Sequence, residues 1–124
     1  MAITLAATLR NNRADQITTF AGANAKLRVY TAAYGAVLYE SLCAATLAPA
    51  AAAGVLTANA IGNATATGAG TAAIARLYKN DGTTMVMEGL TVGTSGTNVV
   101  ITNTTIAVSD VVTTSSMTIT EGNP

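Results

Sequence analysis

Between Ser95 and Thr120 the chain carries a single charged side chain, Asp110, set among Thr, Ser, Asn, Val and Ile. Residues branched at Cβ hold χ1 rigidly, crowd the preceding turn of a helix and lie well on a pleated strand. The stretch therefore predicts extended structure, and its hydroxyls make a surface that is polar without being ionic. The last strand is expected at about 111–120. Val111, Met117 and Ile119 fall on one face and Thr114, Ser116, Thr118 and Thr120 on the other.

The same period of two recurs upstream. "KLRVY" (26–30), "VLYESLC" (37–43), "VLTANAI" (55–61), "AAIARLYK" (72–79), "TTMVMEGLTV" (83–92) and "NVVIT" (98–102) all alternate, with turn signals between them. Those signals are Pro49 and Gly54, the glycines of 62–71 (expected to be a flexible loop), Asp81-Gly82, and "GTSGT". Before the strands, "TLAATLRNNRADQITTFAG" predicts a helix at about 5–21, stopped by Gly22. Leu5, Leu9, Ile17 and Phe20 share a side at helical spacing, although Arg13 and Gln16 intrude on it. The expected fold class is all-β: an antiparallel β-sandwich or jelly-roll-like domain at about 26–120 with one N-terminal α-helix, residues 1–124 forming a single domain.

Asp81-Gly82 favours a two-residue hairpin turn. Pairing Asn80 with Thr83 sets Tyr78 opposite Met85, Leu77 opposite Val86, Arg76 opposite Met87 and Ala73 opposite Leu90. One hairpin face is then Ala73, Leu77, Val86, Leu90 and Val92, interrupted by Glu88; the other is Ile74, Arg76, Tyr78, Met85 and Met87. Both are largely apolar, and a solvated outer face would not be. Either the helix 5–21 or a neighbouring subunit covers the second one, Met and Tyr being enriched where proteins meet.

Few catalytic groups are available. The chain has no His, which removes the commonest general base and metal ligand and with it serine triads and Cys-His pairs. Glu40 and Glu88 are the only carboxylates inside predicted strands, and Glu88 is expected to pair with Arg28 or Arg76. Cys43 stands alone, so it predicts neither a disulfide nor a thiolate metal cluster and is expected to be a small buried hydrophobe. Asp110 with Asn98 or Asn103 makes a poor calcium site, and a turn role is expected for it. The glycines of 62–71 lack the Lys-Ser/Thr of a phosphate loop. "NAT" at 63–65 and "NTT" at 103–105 match a glycosylation sequon, as chance allows in a Thr-rich chain. No enzyme activity, cofactor or metal is expected.

Charged residues make up 10% of the chain, against roughly 25% in ordinary domains, and six basic side chains balance six acidic ones. Arg10, Arg13, Lys26, Arg28, Arg76 and Lys79 are scattered, so nucleic acid is not an expected partner. Weak mutual repulsion favours association, and a homo-oligomer, dimer or trimer, is expected. No stretch is apolar enough for a membrane span. The opening "MAITLAATLRNNR" places its charges after its apolar residues, the reverse of a signal peptide, so synthesis and folding are expected in a cytoplasm.

The segments "AITLAATLRNNRADQI", "KLRVYT", "AGVLTANAI", "RLYKNDGTTMVMEGLTVGTSG" and "MTITEGNP", in this order and spacing, resemble small proteins of the structural modules of tailed bacteriophages and prophages. The similarity runs over nearly the whole chain. It implies a virion structural protein, with a capsid decoration or cement protein as the expected role. The partner would be the major capsid protein or another virion protein, and the location the capsid exterior. Two alternatives stand beside it: a tail, collar or fibre-base component, and a host-surface carbohydrate-binding module using two of Tyr30, Tyr34, Tyr39 and Tyr78. The expected contact residues are Ile74, Arg76, Tyr78, Met85 and Met87 on the hairpin, with Thr114, Ser116 and Thr118 on the last strand.

Overall fold

The computed structural model describes residues 6–120. Helix α1 (Ala7–Ala21) ends at Gly22, whose φ of 70° suits glycine and whose N–H reaches the Thr18 carbonyl at 3.2 Å. Its buried residues are Ala14 and Ala21, with Ile17 packed against the core beside them. Leu9 is 46% exposed and Phe20 50%, so the expected Leu9–Ile17–Phe20 stripe does not face the core; Leu5 lies outside the described residues. Polar pins set the helix's rotation instead. The Ala51 N–H donates to Asp15 Oδ1 and the Gly54 N–H to Asn11 Oδ1, each at 2.7 Å. Small residues at 14 and 21 then let the helix lie close to the sheet.

The strands are β1 (Lys26–Tyr30), β2 (Val37–Leu42), β3 (Val55–Thr57), β4 (Ala64–Thr65), β5 (Gly70–Thr71), β6 (Ile74–Tyr78), β7 (Met85–Gly93), β8 (Val99–Ile101), β9 (Thr105–Ile106), β10 (Val111–Val112) and β11 (Thr114–Thr120). Seven of them form one curled sheet in the order β2-β1-β6-β7-β8-β11-β3. The remaining four make two small antiparallel pairs, β4 with β10 and β5 with β9. The sheet is mixed rather than purely antiparallel, because β7 and β8 run parallel with Val92 opposite Val99 and Gly93 opposite Val100. Parallel neighbours ordinarily need a long crossover. Here the overlap is so brief that residues 94–98 suffice, and Asn98 fastens the joint. Its Oδ1 accepts from the Thr91 N–H (3.1 Å) and hydroxyl (3.0 Å), while its Nδ2 donates to the Thr118 carbonyl on β11 at 3.3 Å.

The core rows follow from the registers. Ser41, Leu27, Leu77 and Met87 lie side by side across β2, β1, β6 and β7, next to Tyr39, Val29, Ala75 and Leu90. Val92, Val99 and Met117 carry the core across the parallel joint, and Ile119 and Leu56 extend it to β3. Ala14 and Ala21 of α1 belong to this cluster, so the helix covers the Ala75–Leu77 face and not the Ile74–Arg76–Tyr78 face. The segment 62–71, expected to be a flexible loop, is tied down by β4, β5 and two N–H groups, of Thr67 and Gly68, that donate to the Leu38 carbonyl on the edge strand β2. A Cβ at Gly68 would collide with the Val37 carbonyl oxygen. The Leu42 carbonyl of β2 is likewise occupied, by the Gly62 N–H. At the opposite edge, Ala52 exchanges two backbone hydrogen bonds with Val55 of β3, at 2.8 and 3.0 Å.

The β6–β7 hairpin departs from the expected two-residue turn. Lys79 and Thr84 close it (N–H to carbonyl, 2.9 Å), leaving Asn80–Thr83 as the loop, with Gly82 at φ 73°. Asp81 selects this longer loop by accepting the Thr83 and Thr84 N–H groups at 2.8 Å and the Thr84 hydroxyl at 2.6 Å. Tyr78 still pairs with Met85, but two bulges follow. Val86 is an extra residue between Met85 and Met87, and Glu88 with Gly89 (φ 80°) opposes Arg76 alone. Leu77 therefore meets Met87, and Ala75 meets Leu90, in place of the expected Leu77–Val86, Arg76–Met87 and Ala73–Leu90 pairs.

The Thr84 hydroxyl and the two backbone N–H groups hold the Asp81 carboxyl well below the usual carboxylate range. A lowered folded-state pKa contributes stability that is complete above the ordinary value of ~3.9 and is lost as pH falls through the lowered one. The Tm difference between the wild type and Asp81→Asn is thus expected to be level from about pH 7 to about pH 5 and to narrow towards about pH 2.5. Thermal unfolding followed by circular dichroism checks it; a gap that widens in acid contradicts it.

Candidate interaction surface

On the side of the sheet away from α1, one row of side chains runs Glu40, Arg28, Arg76, Glu88 across β2, β1, β6 and β7. Arg28 stands directly opposite Arg76, a like-charge pair that is unfavourable on its own. The flanking carboxylates relieve it. Arg28 donates through Nε to Glu40 at 2.8 Å and through Nη2 to the Gly82 carbonyl at 3.1 Å, and Arg76 Nε meets Glu88 at 3.2 Å. Glu88 thus takes the second of its two expected partners.

Each guanidinium group lies over tyrosine rings. Arg28 lies 4.3 Å from the centre of the Tyr78 ring, and Arg76 lies 3.8 Å from that of Tyr34 and 5.3 Å from that of Tyr30. Tyr34 is delivered by a tight turn in which Ala33 and Tyr34 both have positive φ, and its hydroxyl accepts the Gly89 N–H at 2.8 Å. The Tyr30 and Tyr78 hydroxyls are 3.4 Å apart. Tyr30 lowers the Tyr78 phenol through that hydrogen bond, burial opposes the shift, and Arg76 and Arg28 add to it. Exposed ion pairs contribute only about 0–1 kcal/mol each and exposed cation–π contacts about 0.5–1 kcal/mol. The network's main effect is rigidity, which reduces the entropy lost when such a face is covered.

The registers also join the two expected contact surfaces. From Ile74 the outward positions continue to Thr91, then Gly93, Val100 and Ser116, and finally Thr118 and Thr57. Ile74, Arg76, Tyr78, Met85, Ser116 and Thr118 therefore lie on one side of one sheet. Two expected members do not. The Val86 bulge turns Met87 to the core side opposite Leu77. A bulge between Thr114 and Ser116 turns Thr114 inward, where it is 7% exposed with its hydroxyl 3.5 Å from that of Tyr39. The single-strand alternation also misplaced Val111, which is 67% exposed on β10 rather than beside Met117.

Arg28, Glu40, Tyr30 and Tyr34 were absent from the expected contact set. Gly89 inside an alternating strand was the available clue, since an interior strand glycine marks a bulge. For sugar binding, two tyrosines must lie side by side in a groove. Tyr39 is 0%, Tyr30 6% and Tyr78 8% exposed, and Tyr34 meets Tyr30 edge-on at 82°.

Each carboxylate among the described residues accepts from a group of this same chain. Asp15 serves Ala51, Glu40 serves Arg28 and Lys26, Asp81 serves its turn, Glu88 serves Arg76, and Asp110 Oδ2 accepts the Ala107 N–H in the turn expected for it. Cys43 is 3% exposed, and burial pushes its thiol up to about 11. It is expected to resist a disulfide reagent at about pH 8 in the native protein and to react fully once unfolded in denaturant, because only the exposed thiolate attacks. A stopped-flow thiol assay with and without denaturant checks this. Among the described residues, no group of three or more metal-ligating side chains occurs and no helix is long and apolar enough to cross a membrane. Compared with protein-family models, curated proteins and solved structures, the chain matches none.

Proposed function

We propose that this chain is a non-catalytic structural protein of a bacteriophage virion, acting as a capsid decoration or cement protein through the outer face of its curled sheet. The observation that carries the reading is the continuity of that face. A self-neutralised Glu40–Arg28–Arg76–Glu88 row at one end passes into the uncharged Thr91–Val100–Ser116–Thr118 strip at the other. Such a surface presents shape and hydroxyls to a neighbour with little repulsion between copies, as association in many copies on a shell requires. The sequence resemblance to virion structural proteins points the same way. The architecture belongs to this proposal too. Ala66, Ile106 and Val112, from or beside the two small strand pairs, share the core of the large sheet, which supports reading those pairs as the reduced second layer of a sandwich-like domain.

Cryo-EM of particles carrying this protein tests the role. Density repeated across the shell supports it, whereas density confined to one vertex or to the tail overturns it in favour of a tail or collar component. Ser116→Arg tests the face, since position 116 points outward and is partly exposed. Shell occupancy is expected to fall with the circular dichroism spectrum unchanged. Full occupancy by a folded Ser116→Arg protein excludes this face. Met87→Glu is not a suitable probe, because Met87 packs toward the core.

A further inference from the structure

Asp110 differs from the other carboxylates of the described residues in its surroundings. Between Ser41 and Ala75, and again between Gly89 and Ser109, the chain has no charged residue, so Asp110 is a lone anion among uncharged segments. One of its oxygens holds the turn by accepting the Ala107 N–H at 2.9 Å, and no cation among the described residues lies within ion-pair distance of the other. Beside it is a surface pocket of about 160 Å³ whose walls include Ile106, Val111 and Val112, with Thr102, Asn103 and Thr105 at its polar side. Sites for drug-sized ligands run about 300–1,000 Å³, so this pocket has room for one extended side chain rather than for a sugar or a peptide segment.

A small, mainly polar pocket with the exposed Val111 on one wall and Asp110 at its edge suits an amphipathic cation, whose methylenes lie along the valine while its charged head meets the acid. The hydroxyls of Thr102 and Thr105 add acceptors for the remaining N–H groups. A second copy of this chain is a poor donor. Lys26 and Arg28 are held by Glu40, Arg76 by Glu88, Lys79 lies 4.7 Å over the Phe20 ring, and Arg10 packs along Gly54. Arg13 too is already engaged. We infer that the pocket receives one lysine or arginine side chain presented by a different protein. This contact is separate from the outer sheet face and holds whether or not the partner is a viral shell.

The test is an NMR titration of the full chain with N-acetyl-arginine amide and N-acetyl-lysine amide, with N-acetyl-norleucine amide as the uncharged control. Saturable shifts of the Asn103–Val112 amides are expected for the two cations and not for norleucine. They are expected to weaken about threefold or more in Asp110→Asn, the range of an exposed ion pair. Asn keeps an oxygen for the Ala107 N–H, so the turn is retained, and unchanged shifts elsewhere in the spectrum verify that. Equal binding of the charged and uncharged amides, binding indifferent to Asp110→Asn, or no binding at all overturns the inference and leaves Asp110 a turn residue alone. Concentration-dependent shifts of the same Asn103–Val112 amides in the protein alone would reassign the occupant to a second copy.

Discussion

Leu77→Ala is expected to lower the free energy of unfolding by about 2–5 kcal/mol, the range for deleting a fully buried leucine whose site cannot collapse. Leu77 has no exposed surface and sits in the middle of the sheet, paired with Leu27 on one side and Met87 on the other. Collapse around it is restricted, because its neighbours are fixed by ladder hydrogen bonds on both flanks. The core has little to spare. It contains many alanines and one large fully buried aromatic residue, Tyr39, so each leucine supplies a large share of the burial. Against a total stability of about 5–15 kcal/mol, such a loss brings the protein close to unfolding. The measurement is urea denaturation, reading a lower midpoint at unchanged slope. Leu9→Ala is the matched control. A helix docked by its Leu9–Phe20 stripe would lose comparably from it, whereas the observed docking through Ala14 and Ala21 limits the change to within about 0.5 kcal/mol. Equal losses from both substitutions would contradict the helix orientation described above.

Asn98→Ala is expected to cost about 1–3 kcal/mol and to act locally. The side chain accepts twice from Thr91 and donates once to Thr118, so its removal leaves groups on β7 and β11 unpaired at the parallel step of the sheet. With two residue pairs in that step, the ladder alone holds it weakly. Hydrogen exchange should accelerate at the β8 and β11 amides before those of β1 and β6, since the joint opens below the global free energy. Asn98→Asp retains the acceptor facing Thr91 but sets a carboxylate oxygen against the Thr118 carbonyl, so no smaller cost is expected of it. If exchange rises uniformly across the sheet in Asn98→Ala, the residue has no special place at the joint.

Strands β1, β2, β6, β7, β8 and β11 were legible from runs of alternation, whereas β4 and β5 fell in the expected loop, β9 was not foreseen and β10 was merged with the last strand. What alternation cannot carry is a change of phase. Val86, the Glu88–Gly89 pair and Ser115 each add a residue to one strand and reverse which side the next side chain takes. Met87 and Thr114 were misassigned for that reason alone. Ile74, Arg76, Tyr78, Ser116 and Thr118 kept their outward sides because no bulge separates them from the residues that define their faces. The parallel step and the helix's rotation were beyond any period, since single polar side chains, Asn98, Asp15 and Asn11, decide them. The Glu40–Arg28–Arg76–Glu88 row joins residues from four strands and becomes visible only when the registers are known.

Both margins of the large sheet have occupants drawn from the same chain: residues 62–68 against the Leu38 and Leu42 carbonyls, and Ala52 against Val55. Exposed strand margins are where like chains anneal into fibrils. A polypeptide of zero formal net charge has little repulsion to keep its molecules apart, so these built-in covers oppose the shortest route to insoluble polymer. Resistance to polymerising through strand margins is thereby written into the fold's own backbone.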